Sequence, residues 1–281
     1  MPGESFDRAA SYYDATRGFP EGVPEQIRDA IVRAVGAGPE THFLEVGVGT
    51  GRIALPFIRA GYHYMGVDLS LAMMAEVRRK LTDAPTAPAL VRGDVMHLPL
   101  ADASFDVVIG VHVLHLLDDW RQGLREARRV LRPVGHMIFS QSGWNSRAGE
   151  PPDPSRLVGE RWNAILKELG VDRSARPRGQ WMDDQEVLAE LRAMGATAEL
   201  VTLLEYRRPG SSAREAVDHF RNRIYSSDWH TPEEVHAEAA RRLERWLAEE
   251  CPDPDAAPEG MASFNAVVAA FTGHNGGSLK R

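Results

Sequence analysis

The chain has 281 residues, 43% of them hydrophobic and 26% charged, the balance of an ordinary globular fold with one domain plus elaborations or two at most. Its formal net charge of -7 argues against a general nucleic-acid surface. Cys251 is the only cysteine, which excludes an internal disulfide and a cysteine-based zinc site.

The opening residues, MPGESFDRAASYYD, show no basic segment followed by an apolar run, so no signal peptide is expected. No stretch approaches ~18 consecutive apolar residues, so no membrane span is expected and the chain reads as cytoplasmic. Arginine supplies nearly all the positive charge; Lys80, Lys167 and Lys280 are the only lysines. From residue 25 to about 141, strand and helix patterns alternate over short connections, the signature of a parallel sheet with crossover helices. The expected strands are HFLEVG (42–47), HYMGVD (63–68), PALVRGD (88–94), FDVVIGV (105–111) and GHMIFSQ (135–141). They are apolar at consecutive positions, as strands covered on both faces should be. Helices are expected near 51–60, 70–82 and 119–131, the last carrying Trp120, Leu124, Ala127, Val130 and Leu131 on one stripe and stopped by Pro133.

After Gln141 the composition changes to a turn-rich connection, then an amphipathic helix around 155–169 and a loop. DDQEVLAELRAMG has a capping acid and ends at Gly195, so it reads as a helix. TAELVTLLEYRRP reads as a strand. Two helices follow near 212–223 and 232–250, the second opening on Thr231–Pro232 with Glu233 and Glu234 in its first turn. GMASFNAVVAAF reads as a last strand, and residues 273–281 as a disordered tail.

The stretch FLEVGVGTGRIALPF raises the question of its ligand, because Gly47, Gly49 and Gly51 stand at a strand end where an open α/β sheet binds its ligand. A dinucleotide fingerprint needs Gly-x-Gly-x-x-Gly, and Arg52 occupies the place of its third glycine; a phosphate-binding loop needs Gly-Lys-Ser/Thr, and the turn has no lysine. Glu45 heads the turn, where an acid repels a pyrophosphate but suits a cationic ligand. Asp68 ends the second strand, where a carboxylate accepts ribose hydroxyls. Asp94 ends the third, where it can accept from an exocyclic amine while the Val95 N–H donates to a ring nitrogen. A cationic amino acid, a ribose and an adenine without phosphate make up S-adenosylmethionine.

From about 43 to 141 the chain resembles the class I S-adenosylmethionine-dependent methyltransferases, in particular the ubiquinone/menaquinone C-methyltransferase group (methyltransferase type 11). The resemblance rests on LEVGVGTG, GVDLS, GDVMHLPLADASFDVVIG, VLHLLDDW and RVLRPVGHMIFS, in order. It implies that Glu45 organises the turn, that Gly47 and Gly49 let the backbone approach the methionine moiety, that Gly51 belongs to the same cofactor-binding turn, and that Asp68 holds the ribose. It further implies that Leu69 and Met73 belong to the cofactor pocket, with Leu69 on one adenine face. Asp94 and Val95 would read the adenine edge, and the carbonyls of Gly47 and Val111 would take the methionine ammonium. The RPVG sequence departs from the family's usual Pro-Gly-Gly, and Val134 is expected to restrict that turn. An N-terminal Tyr-Asp segment often covers the cofactor in this family, so Tyr13 and Arg17 are expected to close on the methionine carboxylate, for which a guanidinium fork is suited.

Each assignment has a plainer competitor. The glycines could serve packing alone, Asp68 could be a helix N-cap, Asp94 a turn residue, and residues 13–17 an ordinary surface helix. His112 and His115 follow the fourth strand at the cleft mouth and are the candidate catalytic bases, because an imidazole can take a substrate proton near neutral pH; His115 could instead pack its loop. No third ligand at suitable spacing accompanies them, so no metal is expected. Trp144, Trp162, Trp181 and Trp229 lie in the inserted regions and would pack a lid or line an apolar substrate pocket.

The expected fold is therefore a doubly wound, Rossmann-like seven-stranded α/β sheet with helical lid insertions. Residues 1–24 would form a cofactor-covering segment and 25–141 the binding core. Residues 142–182 and 207–258 would be insertions, while 183–206 and 259–272 complete the core. The expected activity is methyl transfer to an O, N or C atom of a small, largely apolar acceptor, with no nucleic-acid partner, by a monomer or homodimer. Action on RNA or protein, or cofactor binding without catalysis, are the alternatives.

Overall fold

Strands buried on both faces demand helices on either side, and the alternation in this chain supplies them in order. The computed structural model describes residues 6–82, 88–141, 153–171 and 183–272. Its helices are α1 (Tyr13–Arg17), α2 (Val23–Val35), α3 (Ala54–Arg59), α4 (Leu71–Lys80), α5 (Trp120–Val130), α6 (Pro154–Glu168), α7 (Asp184–Ala193), α8 (Ala213–Arg221) and α9 (Glu233–Glu250). Its strands are β1 (His42–Val46), β2 (His63–Asp68), β3 (Ala89–Arg92), β4 (Phe105–Val111), β5 (Leu131–Ser140), β6 (Thr197–Arg208) and β7 (Gly260–Thr272).

The strands form one seven-stranded sheet in the order β3-β2-β1-β4-β5-β7-β6. Pairings from β3 through β5 are parallel, and β7 runs antiparallel to β5. This is the doubly wound, Rossmann-like fold. The strand order reverses between β1 and β4, and the crevice at that reversal, outside the carboxyl ends of the strands, is where such a sheet takes a ligand. Those carboxyl ends carry the glycine turn and His112.

Two departures from the sequence reading have local causes. β3 stops at Arg92, short of Asp94, because the Asp94 carboxylate accepts the Met96 N–H at 2.8 Å and Asp94 bridges to His97 in a turn. The RPVG stretch is strand and not a turn. The β5 partners of β4 jump from Leu131, opposite Phe105, to His136, opposite Val107, a bulge, while Val134 and Gly135 pair with Thr272 and Phe271 of β7. Val134 points outward, 68% exposed, so the missing glycine removes no freedom the strand needs.

The chain divides into two compact units. The first comprises Met1–Gly143, Arg178–Glu205 and Ser263–Arg281. Its core runs from Leu44, Val46, Val67 and Val108 in the parallel strands, through Leu124, Ala127 and Val130 of α5, to Val187 and Leu191 of α7 and Val267 of β7. The second comprises Trp144–Pro177 and Tyr206–Ala262, and its core is α6, α8 and α9 packed on one another. Trp162 stacks on Phe220 at 5.1 Å, meets His236 edge-on at 5.3 Å and donates from Nε1 to the fully buried Asp228 carboxylate at 2.8 Å. Trp144, Trp181, most of the two connections around α6 and the tail 273–281 lie outside the described residues. Among those described, no helix is long and apolar enough to cross a membrane.

Candidate active site

The turn after β1 is held open by backbone conformations that side chains resist. Gly47, Gly49 and Gly51 all have positive φ, at 73°, 53° and 84°. The space around each distinguishes their tasks. A Cβ on Gly51 would meet Leu55 and Val77 at 3.1 Å, so Gly51 serves helix packing. A Cβ on Gly47 would strike Val113 at 2.5 Å, whereas one on Gly49 would meet nothing closer than the Gly47 carbonyl at 4.0 Å. Gly49 therefore leaves room on the cleft side, as a cradle for a closely approaching ligand requires.

Asp68 ends β2 and organises this turn. One carboxylate oxygen accepts the Gly49 N–H at 2.8 Å and the other the Ser70 N–H at 2.8 Å. The N-cap of α4 is Ser70, whose hydroxyl oxygen accepts the Met73 N–H at 3.0 Å, so Asp68 is not the helix cap. Burial raises the Asp68 pKa, the N–H bonds of Ser70, Gly49 and Leu69 oppose that, and the nearby Asp7 carboxylate adds to it. With three N–H bonds on its roughly four lone-pair sites, the carboxylate keeps room to accept from a ligand hydroxyl.

The cleft at these strand ends spans about 650 Å³, counted out to its open mouth. Nine of the sequence-selected residues line it: Tyr13, Gly47, Gly49, Asp68, Leu69, Met73, Val95, Val111 and His112. Phe6, Val113, Leu116 and Leu117 line it as well. These four were missed because an isolated apolar residue carries no pattern; the signal available was their position just after β4 or beside the N-terminal Tyr-Asp segment.

Five selected residues stand elsewhere. Gly51 packs α3 against α4, as above. Asp94 follows β3 in a turn where its Oδ1 accepts the Met96 N–H. Arg17 donates to Thr16 Oγ1 at 3.0 Å and lies over the Tyr13 ring at 5.2 Å. Glu45 is 2% exposed and accepts from the Tyr64 hydroxyl at 2.9 Å; burial pushes its pKa up to about 8, against the pull of Tyr64 and Arg52. His115 lies in a 3₁₀ turn (Leu114–Leu116), where burial lowers its pKa to about 4 despite a hydrogen bond with Gln141.

His112 is the residue the strand end presents most pointedly. Its φ of 54° is left-handed, a conformation uncommon for a residue with a Cβ and met disproportionately at functional sites. Its N–H donates to the Ser140 carbonyl at 2.8 Å, which ties the end of β4 to that of β5. Among the described residues, no group of three or more His, Cys, Asp or Glu is arranged to hold a metal.

Comparison with known proteins agrees with this geometry. Residues 44–139 match the family described as Methyltransf_11, methyltransferase domain. A demethylmenaquinone methyltransferase of Renibacterium salmoninarum is 33% identical over 48% of this chain and 56% of its own length. A malonyl-[acyl-carrier protein] O-methyltransferase of Pectobacterium atrosepticum is 28% identical over 75% of this chain and 83% of its own. The chain thus spans little more than half the length of the first of these relatives. Two solved structures share the fold. The YcgJ protein of Bacillus subtilis has a TM-score of 0.54 at 17% identity, covering 87% of this chain and 97% of that one. A Haemonchus contortus phosphoethanolamine N-methyltransferase, solved with S-adenosylhomocysteine, has a TM-score of 0.52 at 16% identity, covering 95% of this chain and 58% of that one. The match at residues 44–139 bears out the resemblance to a methyltransferase domain read from residues 43–141.

Proposed function

We propose that the chain transfers a methyl group from S-adenosylmethionine to a small, largely apolar acceptor. The observation that carries this reading is the convergence of Gly49, Asp68, Leu69, Val95 and His112 on one cleft at the sheet's reversal point. The residues fit the cofactor: an open cradle at Gly49 admits the methionine part, Asp68 accepts the ribose hydroxyls, and Leu69 and Val95 offer apolar cover to the adenine. Bound S-adenosylmethionine supplies a methyl group already activated on a sulfonium. The chain's own work is therefore positioning and exclusion of water. Phe6, Tyr13, Leu116 and Leu117 line the cleft with apolar surface suited to that exclusion.

A hydroxyl or amine acceptor also has a proton to lose, and His112 is the cleft-lining group that would take it on an imidazole nitrogen. His115 stays neutral through the physiological range, because its folded pKa lies near 4; its task is to hold the loop that carries Leu116 and Leu117. The relatives named for demethylmenaquinone and malonyl-carrier methylation support a small acceptor group over an RNA or protein side chain. Calorimetric titration with S-adenosylmethionine, S-adenosylhomocysteine and NAD tests the reading. Both adenosyl compounds should bind and NAD should not; binding of NAD alone would overturn it.

A further inference from the structure

The N-terminal segment sends Phe6 and Tyr13 into the cleft but has little structure of its own. It consists of a 3₁₀ turn (Asp7–Ala9) and the five-residue α1, which buries none of its residues. A helix that short does not persist in water by itself, so its place over the cleft has to come from attachment. Among its attachments, three reach the glycine turn or α4. The Asp7 carboxylate accepts from the Ser70 hydroxyl at 2.5 Å and the Ala72 N–H at 3.3 Å. Arg52 donates to the Arg17 carbonyl at 2.7 Å and lies over the Phe19 ring at 4.7 Å. Between these, Asp14 accepts from the Thr50 hydroxyl at 2.6 Å and pairs with the Lys80 ammonium, which also donates to the Thr50 carbonyl at 2.8 Å.

We propose that Lys80 is a positioning residue for the cofactor cleft, tying the N-terminal segment to the glycine turn through Asp14 and Thr50. The inference rests on the methyltransferase reading for its cofactor and adds a residue that the reading does not contain. Thr50 stands between Gly49 and Gly51, so one ammonium reaches both the glycine turn and the N-terminal segment, each of which lines the cleft. Lys80 is the last residue of α4, where a cation is ordinarily stabilised by the helix's own terminal carbonyls. Here its donors go instead to Thr50, 30 residues away, and to Asp14, and its side chain is only 17% exposed. A compact ammonium with three donors can serve a carbonyl and a carboxylate together, which a planar guanidinium fork does less well. In a chain with three lysines against thirty arginines, 33 cations in all, this is a position where lysine is the better tool.

The consequence is a coupling between order in residues 6–20 and ligand affinity, because both depend on the same contacts at Thr50. Hydrogen exchange on the ligand-free full chain reads the first, and titration with S-adenosylhomocysteine the second. Lys80→Met should raise exchange across 6–20 several-fold, leave β1 and β4 unchanged, and weaken the ligand about tenfold, equivalent to ~1.4 kcal/mol. Lys80→Arg should recover part of both effects, because it keeps the charge. Asp14→Ala should reproduce the Lys80→Met result, and the double variant should be no worse than either single one. Unchanged exchange in 6–20, or effects that simply add in the double variant, would overturn the proposal and leave Lys80 as a helix-end cation. A wild-type protein that binds no S-adenosylhomocysteine would overturn the cofactor reading itself, while the ligand-free exchange comparison still decides the link.

Discussion

Asp68 lies two residues before the serine that caps α4, and this separation allows its two roles to be taken apart by substitution. Asp68→Ala removes a charged acceptor that ribose hydroxyls would use, at ~1.5–3 kcal/mol per bond; S-adenosylhomocysteine affinity should fall at least tenfold. Ser70→Ala removes the cap itself and should lower stability by ~0.5–2 kcal/mol, with a smaller effect on affinity. If Asp68→Ala leaves affinity intact in calorimetry, the ribose role is lost. Glu45 leads to a pH prediction. Its folded pKa of about 8 lies above the ordinary value of 4.5, so the folded protein keeps a proton that the unfolded chain releases. Its contribution is complete below about pH 4.5 and is lost progressively as pH rises toward about 8. Glu45→Gln should flatten that decline, so the midpoint of urea unfolding for the variant should gain on wild type between those limits. Parallel curves would show that Glu45 is ionised in the folded protein. Asp68 was visible in the sequence as an acid at a strand end, whereas the burial of Glu45 against the Tyr64 hydroxyl was not. The left-handed backbone of His112 was not, because that conformation follows from the tie between β4 and β5 and not from any neighbouring residue.

Elements were legible where their signals are local. The helix after Asp183 carries a full capping box, with the Asp183 side chain accepting the Glu186 N–H and the Glu186 side chain accepting the Asp183 N–H, and its sequence displays both residues three apart. The same holds for α8, where Ser212 and Glu215 reciprocate. Contacts between distant segments left no such trace: nothing in the local pattern around Asp7, Asp14 or Lys80 marks them as partners across the cleft. The RPVG stretch failed for a related reason, since a bulge is specified by two neighbouring strands at once. A Cβ at Gly135 would come within 2.8 Å of the Asp106 carbonyl and 2.9 Å of Leu131. Gly135→Ala should therefore cost ~1–3 kcal/mol by overpacking, whereas Val134→Thr, on an exposed position, should stay within ~0.5 kcal/mol. Equal effects of the two in thermal unfolding would contradict the bulge.

At the scale of the whole molecule, two of the cores among the described residues share no residue, one around the sheet and one around Trp162. Trp162→Ala removes a fully buried side chain and leaves the Asp228 carboxylate without its indole donor, and should cost ~3–5 kcal/mol. Hydrogen exchange should rise in α6, α8 and α9 while amides of β1 and β4 keep their protection. A uniform rise would show that the two units unfold as one. The strand order holds a further consequence, and it concerns synthesis. β7 enters the sheet between β5 and β6, so an interior strand is the one the ribosome makes after both of its neighbours. Until residue 260 and its successors emerge, β5 offers an unsatisfied edge and β6 has no place to pair. About 120 residues of chain, from Ser140 to Gly260, must be held open before that gap closes, and such a nascent chain invites pairing with other strands. A chain ending at Pro258 should be recovered as aggregate, while one ending at Thr272 should fold. The residues that line the ligand cleft are all made by Leu117 and still have to wait for the last strand to close the sheet behind them.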